Sequence, residues 1–235
     1  MNSMTPLSRR SSQWAGAMYL IIAVVGGFSI GTVPEKIVQM DDAATTFQNL
    51  MDHSLLFRFG MAGDIVVLIM EVVLTVLLFQ LFKSYGKTAM TVATYSRFAM
   101  AIIMGCNLIN YLIPAILVEQ PEYLQAFSKE QLEGLVLVFL KAHKYGELIW
   151  QIFFAIHLPA LGYTLLKSQV VHKWLGRLMV IGGMGYGGDS LIQLLGISFE
   201  PLSMVFVGLL VAAVIGEFWF AFWLLLKGGK AKNLS

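Results

Sequence analysis

Long apolar runs alternate with short polar stretches along the whole chain. Six of these runs are about 20 residues or longer, which is the length that an α-helix needs to cross a hydrocarbon core of about 30 Å. They cover residues 14–33, 55–82, 89–118, 146–166, 174–197 and 203–226. The pattern predicts an all-α integral membrane bundle of six transmembrane helices, which form a single domain over residues 1–235.

Two of the polar stretches are longer than simple turns. Residues 34–54 contain a helix start at Asp41 or Asp42, and residues 119–145 contain a capping box formed by Ser128 and Gln131. An apolar stripe at helical spacing follows the capping box, formed by Leu132, Leu135, Val136, Phe139 and Leu140. The stripe predicts a short extracytoplasmic amphipathic helix before the fourth span, and an outward extension of that span fits the pattern as well.

The distribution of charge along the chain predicts its orientation. With 57% hydrophobic and 13% charged residues, the composition is that of a membrane protein. If the N-terminus is cytoplasmic, ten basic residues lie on that side, namely Arg9, Arg10, Lys83, Lys87, Lys167, Lys173, Arg177, Lys227, Lys230 and Lys232. The other side receives four lysines and nine carboxylates. Because basic residues concentrate in cytoplasmic loops, we expect a protein of the cytoplasmic (inner) membrane with both termini in the cytoplasm.

Several ionisable residues lie inside the predicted spans, where a charge costs about 2.5–3.5 kcal/mol at the helix centre. Their depths, from about 1.5 Å of rise per residue, predict two layers. The inner layer contains Glu71, Arg97 and Glu217, and we interpret it as a structural ion-pair layer because the arginine neutralises carboxylate charge. The outer-to-middle layer contains Asp64, Asn107, Gln151, His157, Tyr186 and Asp189. That layer has no obvious cation, which favours a ligand-binding or proton-handling site over a structural network.

The stretch 128–166 predicts a polar path along one helix. His143 and Glu147 lie at its outer mouth, where we expect Arg58 as well, and Gln151 and His157 lie deeper. The two histidines are about 21 Å apart along a continuous helix, which is too far to bind one ion together. The sequence therefore predicts no metal site and no cofactor, although a metal or haem held by one histidine stays an alternative.

The glycine-rich stretch GGMGYGG at residues 182–188 contains the spacing GxGxxG. A dinucleotide fingerprint requires a preceding strand and a following helix outside the bilayer, whereas this stretch lies inside a predicted span. Close packing against another helix is the better interpretation.

Several segments resemble, in order and spacing, a bacterial family of polytopic membrane proteins catalogued only as a domain of unknown function, number four-three-eight-six. These segments are LFRFGMAGDIVVLIMEVVLTVLLFQLFK, AMAIIMGCNLINYL, HKYGELIWQIFFAIHLPALGYTLLKS, LGRLMVIGGMGYGGDS and IGEFWFAFWLLLKG. The positions that match the polar pattern of the family are Arg58, Asp64, Arg97, Asn107, His143, Tyr145, Gly146, His157, Tyr186 and Asp189. Members often carry another residue at the position of His157. The resemblance implies a helical membrane protein and carries no established activity.

The buried polar layers favour a membrane protein that binds or transports a small solute, ion or lipid-like molecule. One alternative is an intramembrane enzyme that uses the buried aspartates and His157, with or without a metal or haem, and another is a membrane sensor or assembly factor. The expected partners are membrane lipids and an unknown small ligand, and a homodimer would suit a transporter of only six spans. Nucleic acid is not an expected partner because the basic residues are spread over short loops.

Overall fold

The computed structural model describes residues 8–119, 121–197 and 199–228, and the regular structure within these ranges is helical. The helices are α1 (Arg9–Gly26), α2 (Val33–Ile37), α3 (Ala43–Asp52), α4 (Ser54–Phe82), α5 (Lys87–Asn107), α6 (Ile109–Val118), α7 (Lys129–Ser168), α8 (Lys173–Leu194) and α9 (Glu200–Leu226). A π-helical segment, Gly27–Thr32, joins α1 to α2. Single turns of 3₁₀-helix occur at Lys83–Tyr85 and Glu122–Leu124.

Five helical segments of the described chain are long and apolar enough to cross a membrane, which is consistent with a membrane protein. They are Arg9–Ile37, Ser54–Tyr85, Lys87–Val118, Lys129–Ser168 and Glu200–Leu226. The predicted span at 174–197 forms α8, which is not among the five. Six glycines and three charged residues in α8 lower its mean hydropathy. The count of six spans therefore stays a prediction.

Two helix starts that the sequence predicts are confirmed. Asp42 precedes α3, where its Oδ1 accepts a hydrogen bond of 2.9 Å from the backbone N–H of Thr45. These hydrogen bonds from Thr45 lower the pKa of the Asp42 carboxyl. Ser128 and Gln131 form the capping box of α7, with the side-chain oxygen of Gln131 2.8 Å from the backbone nitrogen of Ser128.

The prediction of a separate amphipathic helix before the fourth span is wrong. The amphipathic stretch and the span are one continuous helix, α7, which is 40 residues long. No proline or glycine cap interrupts the stretch after Ser128, so hydrogen bonding continues into the span. The alternative, an outward extension of the fourth span, is what the structure shows.

The described residues form two compact units. Unit 1 consists of the described residues within Met1–Ile21, Met70–Ala101 and Leu148–Ser235. Unit 2 consists of those within Ile22–Ile69 and Ile102–Glu147. The single-domain organisation over the whole chain stays a prediction.

Glycines bring α8 and α9 together within unit 1. A Cβ on Gly182 would overlap Ala213, and a Cβ on Gly185 would lie 2.8 Å from the Cβ of Leu209. A side chain on either glycine would therefore push α9 away. The interpretation of the glycine-rich stretch as a close-packing surface is confirmed.

Unit 2 has an apolar core to which α2, α3, α4, α6 and α7 contribute. The buried members of this core are Val33, Ile37, Phe47, Leu50, Phe57, Tyr111, Ala115, Leu117, Val118, Leu132, Val136 and Leu140. The apolar stripe of the capping-box stretch is thus buried in this core, which explains why it stays helical beyond the span.

Candidate functional site

The buried cation of unit 1 is Arg97 on α5, whose side chain is 1% exposed. Its Nε donates to Oε2 of Glu71 at 2.5 Å, and its Nη1 donates to the hydroxyl of Tyr19 at 3.2 Å. Nη1 also lies 2.9 Å from Nε2 of His157. We call Tyr19, Glu71, Arg97 and His157 the Arg97 cluster. Each member comes from a different helix, so the cluster ties α1, α4, α5 and α7 together.

The protonation of His157 follows from its two partners. The arginine Nη1 can only donate, so Nε2 of His157 accepts. The backbone oxygen of Ala93 can only accept, so Nδ1, at 2.8 Å, carries the proton. We therefore assign the neutral imidazole with its hydrogen on Nδ1. Both ring nitrogens are satisfied within the protein, which is the arrangement of a structural histidine.

The predicted inner layer is brought together in unit 1. Glu71 and Arg97 form a buried ion pair, and Glu217 on α9 is close enough for its charge to act on Arg97 and Tyr19. His157 was expected with the carboxylates of the other layer, and it lies against Arg97 instead. A buried guanidinium needs several acceptors, and a neutral imidazole supplies one without adding charge.

Three further residues of the predicted polar layer lie in unit 1. Gln151 accepts a hydrogen bond of 2.7 Å from Ser190, and Asp189 accepts one of 2.7 Å from Gln193. The ring of Tyr186 packs edge-on against Phe154 on α7, with 4.9 Å between the ring centroids. Gln151 and Asp189 thus each have a hydrogen-bond partner in unit 1.

The other two members of the predicted layer, Asp64 and Asn107, lie in unit 2. Asp64 on α4 is only 2% exposed, and neither of its carboxylate oxygens has a hydrogen-bond partner within the described part of the chain. Ser29, on the π-helical segment, is fully buried and lies beside Asp64 and Gly63. The Ser29 Oγ has no hydrogen-bond partner either, so Ser29 and Asp64 are not hydrogen-bonded to each other.

His143 on α7 carries a fourth unpartnered atom of unit 2, after the two Asp64 oxygens and the Ser29 Oγ. Its Nδ1 lies 3.2 Å from the backbone oxygen of Asn107, which can only accept, so Nδ1 carries a proton. Its Nε2 has no hydrogen-bond partner and lies 3.5 Å from Oε1 of Glu147. The ring stacks on Tyr111 with 3.5 Å between centroids.

A break between α5 and α6 makes this arrangement possible. The backbone N–H of Tyr111 bonds to the carbonyl of Leu108 rather than continuing the α-helical pattern to Asn107. The carbonyl of Asn107 is thereby available to His143, and the Asn107 side chain donates to the carbonyl of His143 at 2.9 Å. Gly146 leaves room for this exchange, because a Cβ there would overlap the Asn107 amide.

Charge in unit 2 is only partly compensated. Lys144 lies 2.9 Å from Oε2 of Glu147 and pairs with it. The charges of His143 and Glu147 act on Asp64, and those of Glu147 and Asp64 act on Tyr111, so these side chains lie within electrostatic range of one another. We call the group the Asp64 cluster, and its members are Ser29, Asp64, Asn107, Tyr111, His143 and Glu147. Its carboxylate at Asp64 has no lysine or arginine partner in the described chain.

Arg58 is not part of the Asp64 cluster, although the sequence places it at the same outer mouth as His143 and Glu147. It forms an exposed ion pair with Glu119, at the end of α6. The pair borders a pocket of about 160 Å³, whose other lining residues are Leu50, Met51, Ser54, Phe57, Ala115 and Val118. Arg58 finds Glu119 because the two lie on neighbouring helix ends of unit 2.

Sequence reasoning missed several residues of the two clusters. Tyr19 and Ser29 are single hydroxyls within an apolar run, so no periodic pattern marks them. Tyr111 is not among the predicted site residues. Across the ranges that the structure describes, no group of three or more His, Cys, Asp or Glu side chains is arranged to hold a metal ion.

The apolar helices, with polar clusters buried among them, define the class of this chain as a helical protein with the features of a membrane protein. The chain belongs to the family described as a domain of unknown function (DUF4386), whose model matches residues 14–228. The resemblance seen in the sequence is thereby confirmed. An uncharacterized protein of Archaeoglobus fulgidus is 40% identical over 83 residues, which are 35% of this chain and 46% of that relative. The chain thus spans less than half the length of that relative. No solved structure matches the chain significantly.

Proposed function

We propose that this protein is a multi-pass protein of the cytoplasmic membrane, with both termini in the cytoplasm, and that it binds a small solute or ion at the Asp64 cluster. The observation that carries the proposal is the state of Asp64. Both of its carboxylate oxygens are buried without a hydrogen-bond partner in the described chain. An unsatisfied buried polar group costs about 1–3 kcal/mol, and a charged one costs more.

The Arg97 cluster provides the comparison within the same chain. There, a buried charge receives a carboxylate, a hydroxyl and an imidazole from three other helices. The fold is therefore able to satisfy a buried charge where the role is structural. At Asp64, both carboxylate oxygens stay without a partner instead, and so do the Oγ of Ser29 and the Nε2 of His143 in the same unit, which is typical of a ligand site.

The backbone around the cluster supports the same conclusion. Ser29 belongs to a π-helical segment. Such segments are rare in proteins overall, but those that occur are often found at functional sites. Ionisable residues inside membrane spans commonly mark substrate and ion pathways. Binding at Asp64 is thus suited to a transport cycle in which the solute passes through the polar interior.

Thermal unfolding of the purified full-length protein in detergent tests the proposal. The panel consists of sodium, potassium, ammonium, methylammonium, phosphate and leucine. A ligand at 100 times its Kd stabilises the folded state by about 2.7 kcal/mol. We expect at least one member of the panel to raise the Tm of the native protein and of Asp52→Asn, which makes the same change at an exposed carboxylate. We expect no such rise in Asp64→Asn.

A second variant separates loss of binding from loss of folding. Ser29→Ala removes a buried hydroxyl that has no partner, so its unliganded Tm should equal or exceed that of the native protein. Its ligand-induced rise should nevertheless be smaller. The proposal is wrong if no panel member stabilises the native protein, or if Asp64→Asn and Ser29→Ala respond like the native chain.

A further inference from the structure

We propose that the ligand of the Asp64 cluster is a small primary ammonium cation, and that it exchanges with one proton on His143. This inference rests on the proposed function and names the ligand class and the regulation of the same site.

The unpartnered atoms of the cluster require hydrogen-bond donors. With His143 neutral, both Asp64 oxygens and the His143 Nε2 are acceptors, and the Ser29 hydroxyl is able to accept as well. A primary ammonium group carries three N–H donors and no acceptor. It is therefore matched to a cluster whose unpartnered acceptors come from three elements, the π-helical segment, α4 and α7.

The charges of the cluster require a single positive charge. Glu147 is neutralised by Lys144 at 2.9 Å, which leaves the charge of Asp64. With a neutral His143, the sum over Asp64, His143, Lys144 and Glu147 is one negative charge. A monovalent cation brings the sum to zero, and the low dielectric of a buried site makes this balance strongly favourable.

A proton on His143 would also bring the charge of the cluster to zero. Its Nδ1 hydrogen is already donated to Asn107, so a further proton adds to Nε2 and forms the imidazolium. The new N–H points toward Glu147 at 3.5 Å, and the new charge acts on Asp64. The other groups that face the ring are Tyr111, which stacks on it, and Lys144, which acts through Glu147.

The ammonium cation and the proton on His143 are therefore alternatives, because either one neutralises the cluster. One proton arrives at Nε2 and one ammonium cation leaves, so charge is conserved in the exchange. Occupation of both positions would place two positive charges beside a single unpaired carboxylate. Acid conditions consequently favour release of the cation, and alkaline conditions favour its binding.

The experiment measures binding of labelled methylammonium to the purified full-length protein by equilibrium dialysis, between about pH 5 and pH 8, where histidine ordinarily titrates. In the native protein, we expect the apparent affinity to fall as the pH is lowered, by up to about tenfold per pH unit, because one proton replaces one cation. In His143→Gln, in which Asp64 and Glu147 remain as titratable groups, we expect a weaker dependence of the affinity on pH. Tetramethylammonium, which has the same charge and no N–H donor, should not compete.

A measurement on the native chain keeps the test independent of variant folding. Nuclear magnetic resonance of labelled histidine at one fixed acid pH should show that saturating methylammonium lowers the fraction of His143 that carries a proton on Nε2. A pH-independent affinity, or the same pH dependence in His143→Gln, would overturn the exchange and leave the binding site standing. Stabilisation by another panel member with no methylammonium binding would overturn the ligand class. Absence of any stabilising ligand would instead overturn the proposed function.

Discussion

At the scale of single residues, two buried ionisable side chains, Arg97 and Asp64, differ in their hydrogen bonding. Arg97 is surrounded by acceptors that arrive from three other helices, whereas Asp64 has no hydrogen-bond partner in the described chain. Removing a partner from the first charge should therefore destabilise the fold. Removing an unpartnered neighbour of the second, such as the Ser29 hydroxyl, should not.

Glu71→Gln tests the structural role of the Arg97 cluster. The change leaves the guanidinium buried without its carboxylate, so we expect the free energy of unfolding to fall by about 3–5 kcal/mol. Glu133→Gln is the matched control, because Glu133 pairs with the exposed Lys129 at 3.6 Å and such pairs contribute about 0–1 kcal/mol. Denaturant titration in detergent measures both. Equal losses in the two variants would contradict the structural role.

The residues of the two clusters were only partly predictable. Burial of Glu71, Arg97 and Asp64 followed from their positions in apolar runs, because a charge there must face the protein interior. Periodicity assigns a residue to a helix face but does not say which helix that face meets. For this reason the partner of His157 was not predicted, and Ser29 carried no signal at all.

At the scale of helices, α7 organises unit 2 through its contact with the break between α5 and α6. The capping box and the apolar stripe predicted where α7 begins, yet they could not decide between a separate helix and an extension. That decision depends on burial of the stripe in the core of unit 2, which is a tertiary effect. The break at Leu108 had no marker in the sequence, because Pro114 lies six residues further on.

Two glycines on α7 are a matched pair for testing the contact between α7 and the break between α5 and α6. Gly146→Ala places a methyl group in the Asn107 amide, so we expect destabilisation by about 1–3 kcal/mol and loss of the hydrogen bonds to His143. Gly134→Ala meets nothing within 4 Å, so the helix preference of alanine should stabilise the protein by up to about 1 kcal/mol. Thermal unfolding compares them. A stabilised Gly146→Ala would show that the contact is not tight.

The cap of α3 should depend on pH. Hydrogen bonds from Thr45 favour the charged carboxylate of Asp42 and lower its pKa in the folded state. The stabilisation is therefore present above the ordinary aspartate pKa and is lost as the pH falls through the lowered value. After correction for the intrinsic pH dependence of exchange, hydrogen exchange of the Thr45 amide should lose protection in that acid range in the native chain. In Asp42→Asn, protection of the Thr45 amide should be independent of pH. If protection does not vary with pH in the native chain either, the charged cap is excluded.

At the scale of the whole molecule, α8 decides the topology. Five helical segments in the described ranges are apolar enough to span a membrane, and α8, which is rich in glycine and packs closely on α9, is not among them. The distribution of basic residues nevertheless favours six spans, with the C-terminus on the same side as the N-terminus.

Labelling with an impermeant maleimide tests this topology in intact cells, in a background where Cys106 is replaced by alanine. If α8 crosses the membrane, cysteines introduced at Lys167 and Lys227 should each be on a cytoplasmic loop or tail, and should react only after the cells are opened. A cysteine at Lys36 should react without opening. Labelling of Lys227→Cys in intact cells, with Lys167→Cys protected, would show that α8 does not cross.

The central claim is that Asp64 binds a ligand rather than holding the fold together. Equilibrium dialysis of labelled methylammonium at about pH 8, the alkaline end of the range in which histidine ordinarily titrates, tests it most directly, with native protein, Asp64→Asn and Asp52→Asn compared side by side. Hydrogen bonds to a charged group contribute about 1.5–3 kcal/mol, so Asp64→Asn should raise the Kd about tenfold or more. Native protein and Asp52→Asn should bind one equivalent per chain with the same Kd. Equal binding by a folded Asp64→Asn would contradict the account.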